Sequence, residues 1–248
     1  MHIKFKLAVL FIVVISLISC KPLVEDGLTY DEYVKKAKEY RNDSDYDRAI
    51  EAGKKAVNIK PNDSEAHYLL ASLYYEGYRK AFDAARMKSL QNAILHPKKR
   101  QKSKSEIEEY KKYGLKAEWQ TLAIQEFKET IKYDPNIWFA RYLIATDYFN
   151  NKRFREAIDE CKKVIATKPD YVNSYSVMGE AYYKLGEYNS AIQTLQTAIK
   201  IEPSSFYDYL NLGLAYKRTN NWKMYAEIAT KLKAINAEFY NQLVNPES

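Results

Sequence analysis

Few residues of this 248-residue chain could do chemistry. Its histidines are His2, His67 and His96, and its cysteines are Cys20 and Cys161. A zinc site needs three or four nitrogen, sulfur or carboxylate ligands brought together at set spacings. Three scattered imidazoles and two distant thiols do not supply them. No G-x-x-x-x-G-K phosphate loop, H-E-x-x-H pair or G-x-S-x-G elbow is present. Acid pairs such as Glu108-Glu109 lie in charge-rich stretches and read as solvated helix faces. His96 stands before Pro97 at the end of a helical run, where a cation suits the carbonyl end of the helix dipole. The expectation is a non-enzyme with no metal, no cofactor and no small-molecule substrate. Composition agrees with an ordered helical chain. With 46% hydrophobic and 29% charged residues, it is neither a disordered tail nor a polytopic membrane protein. Seven Gly and seven Pro are too few turn-formers for many short strands. The 23 Tyr are unusual and need an explanation.

Cys20 draws meaning from what precedes it. Met1 to Lys6 carries Lys4 and Lys6 and no acid, and Leu7 to Ile18 is apolar apart from Ser16. A bilayer span takes about twenty apolar residues, so this run is too short and fits a secretory leader. It ends in Leu17-Ile18-Ser19-Cys20, after which Lys21 and Pro22 turn the sequence polar. The arrangement resembles the bacterial lipobox. The resemblance implies that residues 1–19 are cleaved, that the Cys20 thiol carries diacylglycerol, and that its new amine is acylated. Several acyl chains hold a protein stably on a membrane. Lys21 in place of Asp at the next position implies the outer membrane, with the protein facing the periplasm of the cell envelope. Nucleic acid is then not an expected partner.

The remaining chain is periodic. Prolines close helical runs at 61, 97, 135, 169 and 203, at intervals of 36, 38, 34 and 34. The clearest copy, 172–205, has Tyr175, Met178, Gly179 and Tyr182, then Gly186 and Tyr188 at a turn, then Ala191, Leu195, Ala198 and Pro203. It resembles the tetratricopeptide repeat, a helix-turn-helix of 34 residues. Gly179 and Ala191 are small where two helices cross, Tyr182 and Leu195 fill the space beside them, and Pro203 ends the second helix. Repeat 138–171 follows with Ile144, Ala145, Tyr148, Phe154, Ala157, Cys161 and Pro169, but has Arg141 where an aromatic is usual. Repeat 206–239 has Leu212, Gly213, Tyr216 and Trp222, with Tyr225 in a small-residue slot. Repeats are expected at 30–63, at 64–97 and, more weakly, at 104–137, where Ala123, Phe127 and Pro135 mark only the second helix. In this register His67 takes an aromatic slot and Cys161 is a small core hydrophobe. The expected fold is all-α: a right-handed α-solenoid of about six hairpins, with an N-terminal tether at 20–29, an insert at 98–103 and a C-terminal tail at 240–248.

Function then falls to surfaces. Lys98, Lys99, Arg100, Lys102 and Lys104 form a basic loop, read first as solvated and otherwise as a contact for anionic headgroups or an acidic partner. The resemblance implies that positions two, five, nine and twelve of each first helix line a groove for protein or peptide partners. Those positions hold Tyr68, Tyr75, Phe139, Tyr142, Phe149, Glu180, Tyr183 and Tyr207. Tyrosine offers contact area at low entropy cost together with a hydroxyl. The lysine, asparagine and arginine set of the family's carboxylate clamp is not found. The reading is a membrane-anchored interaction scaffold; a pilotin-like or outer-membrane assembly factor, or an activating subunit of an envelope enzyme, shares the same architecture.

Overall fold

The computed structural model describes residues 27–95, 116 and 118–245, with side chains placed for 27–88, 116 and 118–245. Cys20, His96, the basic run 98–104 and the expected first helix from 104 lie outside these residues. Every element among the described residues is a helix: α1 (Tyr30–Asn42), α2 (Tyr46–Ile59), α3 (Ser64–Leu95), α4 (Glu118–Tyr133), α5 (Trp138–Asn150), α6 (Phe154–Thr167), α7 (Val172–Lys184), α8 (Tyr188–Ile201), α9 (Phe206–Arg218), α10 (Trp222–Ile235) and α11 (Ala237–Val244). The chain divides into two units, 1–126 and 127–248. Local chemistry sets several helix starts. Thr29 opens α1 with a capping box, its hydroxyl accepting from the Glu32 amide while the Glu32 carboxylate accepts from the Thr29 amide at 2.7 Å. Asp45, Ser205, Asn221 and Asn236 cap α2, α9, α10 and α11 through their side-chain oxygens.

The hairpin turns share one backbone device. The fifteenth residue of each regular repeat has positive φ: Ser44 at 62°, Lys152 at 60°, Gly186 at 79° and Asn220 at 56°. The second repeat puts Tyr78 at this place. A bulky side chain resists left-handed backbone, and Arg79-Lys80-Ala81-Phe82 favour helix. The chain therefore does not turn, and α3 runs on for 32 residues. The expected hairpin at 64–97 is corrected to a single helix.

A later segment supplies the missing partner. Within the first unit, the start of α4 packs on the first half of α3. Trp119 lies 6.4 Å from the Tyr74 ring, and a Cβ placed on Gly77 would meet the Trp119 ring at 2.6 Å. His67 Nδ1 is 2.6 Å from Glu126 Oε2, and its Nε2 is 2.9 Å from the Pro61 carbonyl. The fourth repeat repeats this clasp in the second unit: Arg141 Nη1 donates to Glu160 at 2.8 Å and Nε to the Pro135 carbonyl at 2.7 Å. Tyr175 bonds the Pro169 carbonyl in the same way at 2.9 Å. The clasp spans 19 residues from Arg141 to Glu160 but 59 from His67 to Glu126. The separation across the clasp is thus forty residues longer in the first unit than in the fourth repeat.

In the second unit each hairpin packs on the next, and the first helices α5, α7 and α9 also meet one another in sequence. One core gathers Ala145, Ile158, Cys161, Met178 and Ala181; another gathers Leu195, Tyr209, Leu212, Tyr216, Ile228, Leu232 and Leu243. Gly179 lets α7 approach α8, since a Cβ there would stand 2.6 Å from Leu195 Cγ. Residues 240–244, expected as tail, belong to α11. This helix packs on both α9 and α10 and drives Leu243 against Gly213. Glu238, Asn241 and Gln242 on its far side are exposed.

Candidate functional site

The groove residues divide by what they touch. In the first unit, Tyr68 and Tyr75 are half-buried on α3, and the Arg79 guanidinium lies 5.9 Å from the Tyr75 ring centre. In the second unit, Phe149 is turned toward packing: its ring sits 5.4 Å from Phe154 and rests on the core around Cys161. Tyr183 also leans on the core, lies 5.6 Å from Tyr188, and accepts a long 3.5 Å bond from Arg218 Nε. Glu180 faces Lys184 at 3.7 Å, a half-exposed pair of little energetic weight.

Phe139, Tyr142 and Tyr207 are different, because they belong to aromatic clusters at the first-helix starts. Trp138 lies 5.6 Å from Phe139 and 4.8 Å from Tyr171, and Tyr142 meets Tyr171 edge-on at 4.9 Å. Two repeats later, Phe206 sits 4.5 Å from both Tyr207 and Phe239, and Tyr207 meets Phe239 edge-on at 4.8 Å. Tyr207 is 59% exposed, the most open of the expected groove residues. Sequence reasoning missed Trp138, Tyr171, Phe206 and Phe239. The signal was available: they occupy the first and last positions of repeats 138–171 and 206–239, whereas repeat 172–205 has Val172 and Ser205 there.

Beneath the strip between the clusters lies a carboxyl group that sequence reasoning also missed. Asp208, on α9, is fully buried; its Oδ2 accepts from the Ser176 hydroxyl of α7 at 3.0 Å. Its Oδ1 is buried without a partner among the described residues, as is Ser174 Oγ. Burial pushes the Asp208 carboxyl above the usual carboxylate range, against the opposing pull of the Ser205 and Ser176 hydroxyls. Elsewhere, burial pushes the Cys161 thiol up to about 12, so it is a packed, unreactive side chain. No group of three or more His, Cys, Asp or Glu placed to hold a metal occurs among the described residues, and no helix there is long and apolar enough to cross a membrane.

Comparison with known families bears on these repeating hairpins. A tetratricopeptide repeat model matches residues 34–101, and a TPR repeat model matches 179–220. These segments are similar to tetratricopeptide repeats. Overlapping the second segment, residues 123–198 match the model for the anaphase-promoting complex, cyclosome, subunit 3. No curated protein matches the sequence. Among solved structures, the crystal structure of MamA protein is similar at 21% identity and TM-score 0.61, covering 88% of this chain and 96% of that one. MamA 41-end from Desulfovibrio magneticus RS-1 is similar at 18% identity and TM-score 0.59, covering 84% and 96%. At these identities the likeness shows the fold: a tetratricopeptide-type helical solenoid. The clusters at Phe139 and Tyr207 lie on α5 and α9, first helices of the layer in which α5, α7 and α9 meet in sequence.

Proposed function

We propose that this chain is a non-catalytic interaction scaffold held on the bacterial envelope by lipid on Cys20. Its first-helix groove in the second unit grips a segment of a protein partner. The observation that carries the groove reading is the pair of aromatic clusters around Phe139–Tyr142 and Tyr207, set on the first helices and spaced by two repeats. Large aromatic faces held by neighbouring rings are the usual anchors of peptide recognition, since little side-chain freedom is lost when a partner covers them. The lipid anchor rests on Leu17-Ile18-Ser19-Cys20 after a short apolar leader, and Lys21 favours the outer membrane, facing the periplasm.

Each half has its own test. An alkyne analogue of palmitate fed to a bacterial host should label the wild-type chain and leave Cys20→Ala unlabelled; label on the variant would remove the anchor from the account. The double substitution Tyr142→Ala/Tyr183→Ala should retain helicity while partner affinity falls about tenfold or more. Undiminished affinity would move the contact away from the groove, to the basic residues 98–104 or the opposite face.

A further inference from the structure

We infer that the groove of the second unit recognises an extended peptide carrying two large apolar side chains five or six residues apart with a cationic side chain between them. The inference rests on the groove reading above and adds to it a spacing and a charge. Cluster one, at Phe139 and Tyr142, stands on α5; cluster two, at Tyr207, stands on α9; α7 lies between, in contact with both. At the positions where one or both neighbours carry aromatic rings, the middle repeat has Val172, Asn173, Ser176 and Ser205. The strip is therefore aromatic, polar, aromatic. Packed helices lie 8–10 Å apart, so two steps set the anchors about 16–20 Å apart. An extended chain advances about 3.3 Å per residue, and five or six residues cover that distance.

The charge follows from Asp208. Its carboxyl lies under the strip, joined to it through Ser176 at groove-facing position five, and one of its oxygens has no donor among the described residues. A carboxylate buried with no ion-pair partner among the described residues is costly, and a partner's ammonium or guanidinium group over this strip would offset its charge through space. The carboxylate of Glu180, further along the same helix, adds to the negative character, although Lys184 shares it. A partner with an acidic residue between its anchors would meet like charge.

Fluorescent peptides with two phenylalanines separated by two to nine residues, and lysine, glutamine or glutamate midway, test this against the full chain. Peptides with their phenylalanines five or six residues apart and a central lysine should bind at least tenfold more tightly than those three or nine apart. Replacing the lysine by glutamate should cost tenfold or more. Tyr142→Ala and Tyr207→Ala should each weaken binding of the best peptide about tenfold with unchanged circular dichroism. Asp208→Asn, which keeps the shape and the Ser176 contact, should erase the preference for lysine over glutamine. Affinity indifferent to spacing, or a lysine preference that survives Asp208→Asn, overturns the ruler; if that binding still falls in Tyr142→Ala, the groove itself stands. Binding unmoved by either tyrosine substitution overturns both.

Discussion

Gly179 offers a quantitative check on the helix crossing that defines the repeat. A Cβ there would lie 2.6 Å from Leu195 Cγ and 2.7 Å from its Cδ2, and Leu195 is fully buried, so it has no open space to move into. Gly179→Leu must therefore displace α8. Overpacking of this kind costs about 1–3 kcal/mol, and a leucine this deep belongs near the upper end. Replacing glycine within a helix returns just under 1 kcal/mol in propensity. The net expectation is a loss of about 2 kcal/mol, which for a unit of this size lowers the melting temperature by roughly 8 °C. Leu195→Ala alone opens a cavity and costs about 2–5 kcal/mol. Combined, each change relieves the other, so the double variant should be more stable than the sum of the singles by about 1 kcal/mol or more. Urea or thermal unfolding followed by circular dichroism measures all four corners of the cycle. Strict additivity, or a Gly179→Leu variant as stable as wild type, would falsify the crossing geometry.

Other consequences can be measured in the same way. His67→Ala leaves Glu126 and the Pro61 carbonyl without their shared partner and should cost about 1–3 kcal/mol; His67→Arg, copying Arg141, should restore most of it, and equal loss in both variants would refute the clasp. Asp208 has its carboxyl raised by burial, so the unfolded chain ionises it first. Its penalty is therefore absent below the ordinary aspartate range and grows as pH rises toward the raised native value. Asp208→Asn should gain on wild type across that window in urea midpoints taken from pH 3 upward, and a constant difference would contradict the assignment. With its thiol pushed up to about 12, Cys161 should resist iodoacetamide in the native protein and react once urea unfolds it. Rapid native alkylation in a Cys20→Ala background would show the site is open.

The regular repeats were legible because 34-residue spacing places the same side chain in the same contact. Gly179, Ala191 and Leu195 could be assigned from the sequence, and Tyr46, Phe154, Tyr188 and Trp222 each mark the start of a second helix. Repeat two was not legible, because the prolines at 61, 97 and 135 kept a plausible period while Tyr78 removed the turn between the first two. Spacing in sequence could not reveal that Glu126 returns to His67; only the parallel with Arg141 and Glu160 exposes the forty-residue difference in separation. The aromatic clusters of the proposed groove were half legible. First-helix positions identified Phe139, Tyr142 and Tyr207, but the rings that support them sit at repeat boundaries, where a consensus carries little information. Asp208 was hidden because neighbouring repeats have Ala140 and Ser174 at its position, and a lone acid in a helix reads as solvent-facing.

Site-specific photocrosslinking tests the central claim most directly. Benzoylphenylalanine would be placed in turn at Tyr142 and Tyr207 in the groove, and at Asp159 and Lys162 on the exposed side of α6, and irradiated in the host that makes the protein. The account predicts that the same partner is captured from Tyr142 and Tyr207, that capture is competed by the two-anchor peptide, and that Asp159 and Lys162 give none. Capture from Asp159 and Lys162 alone would contradict it.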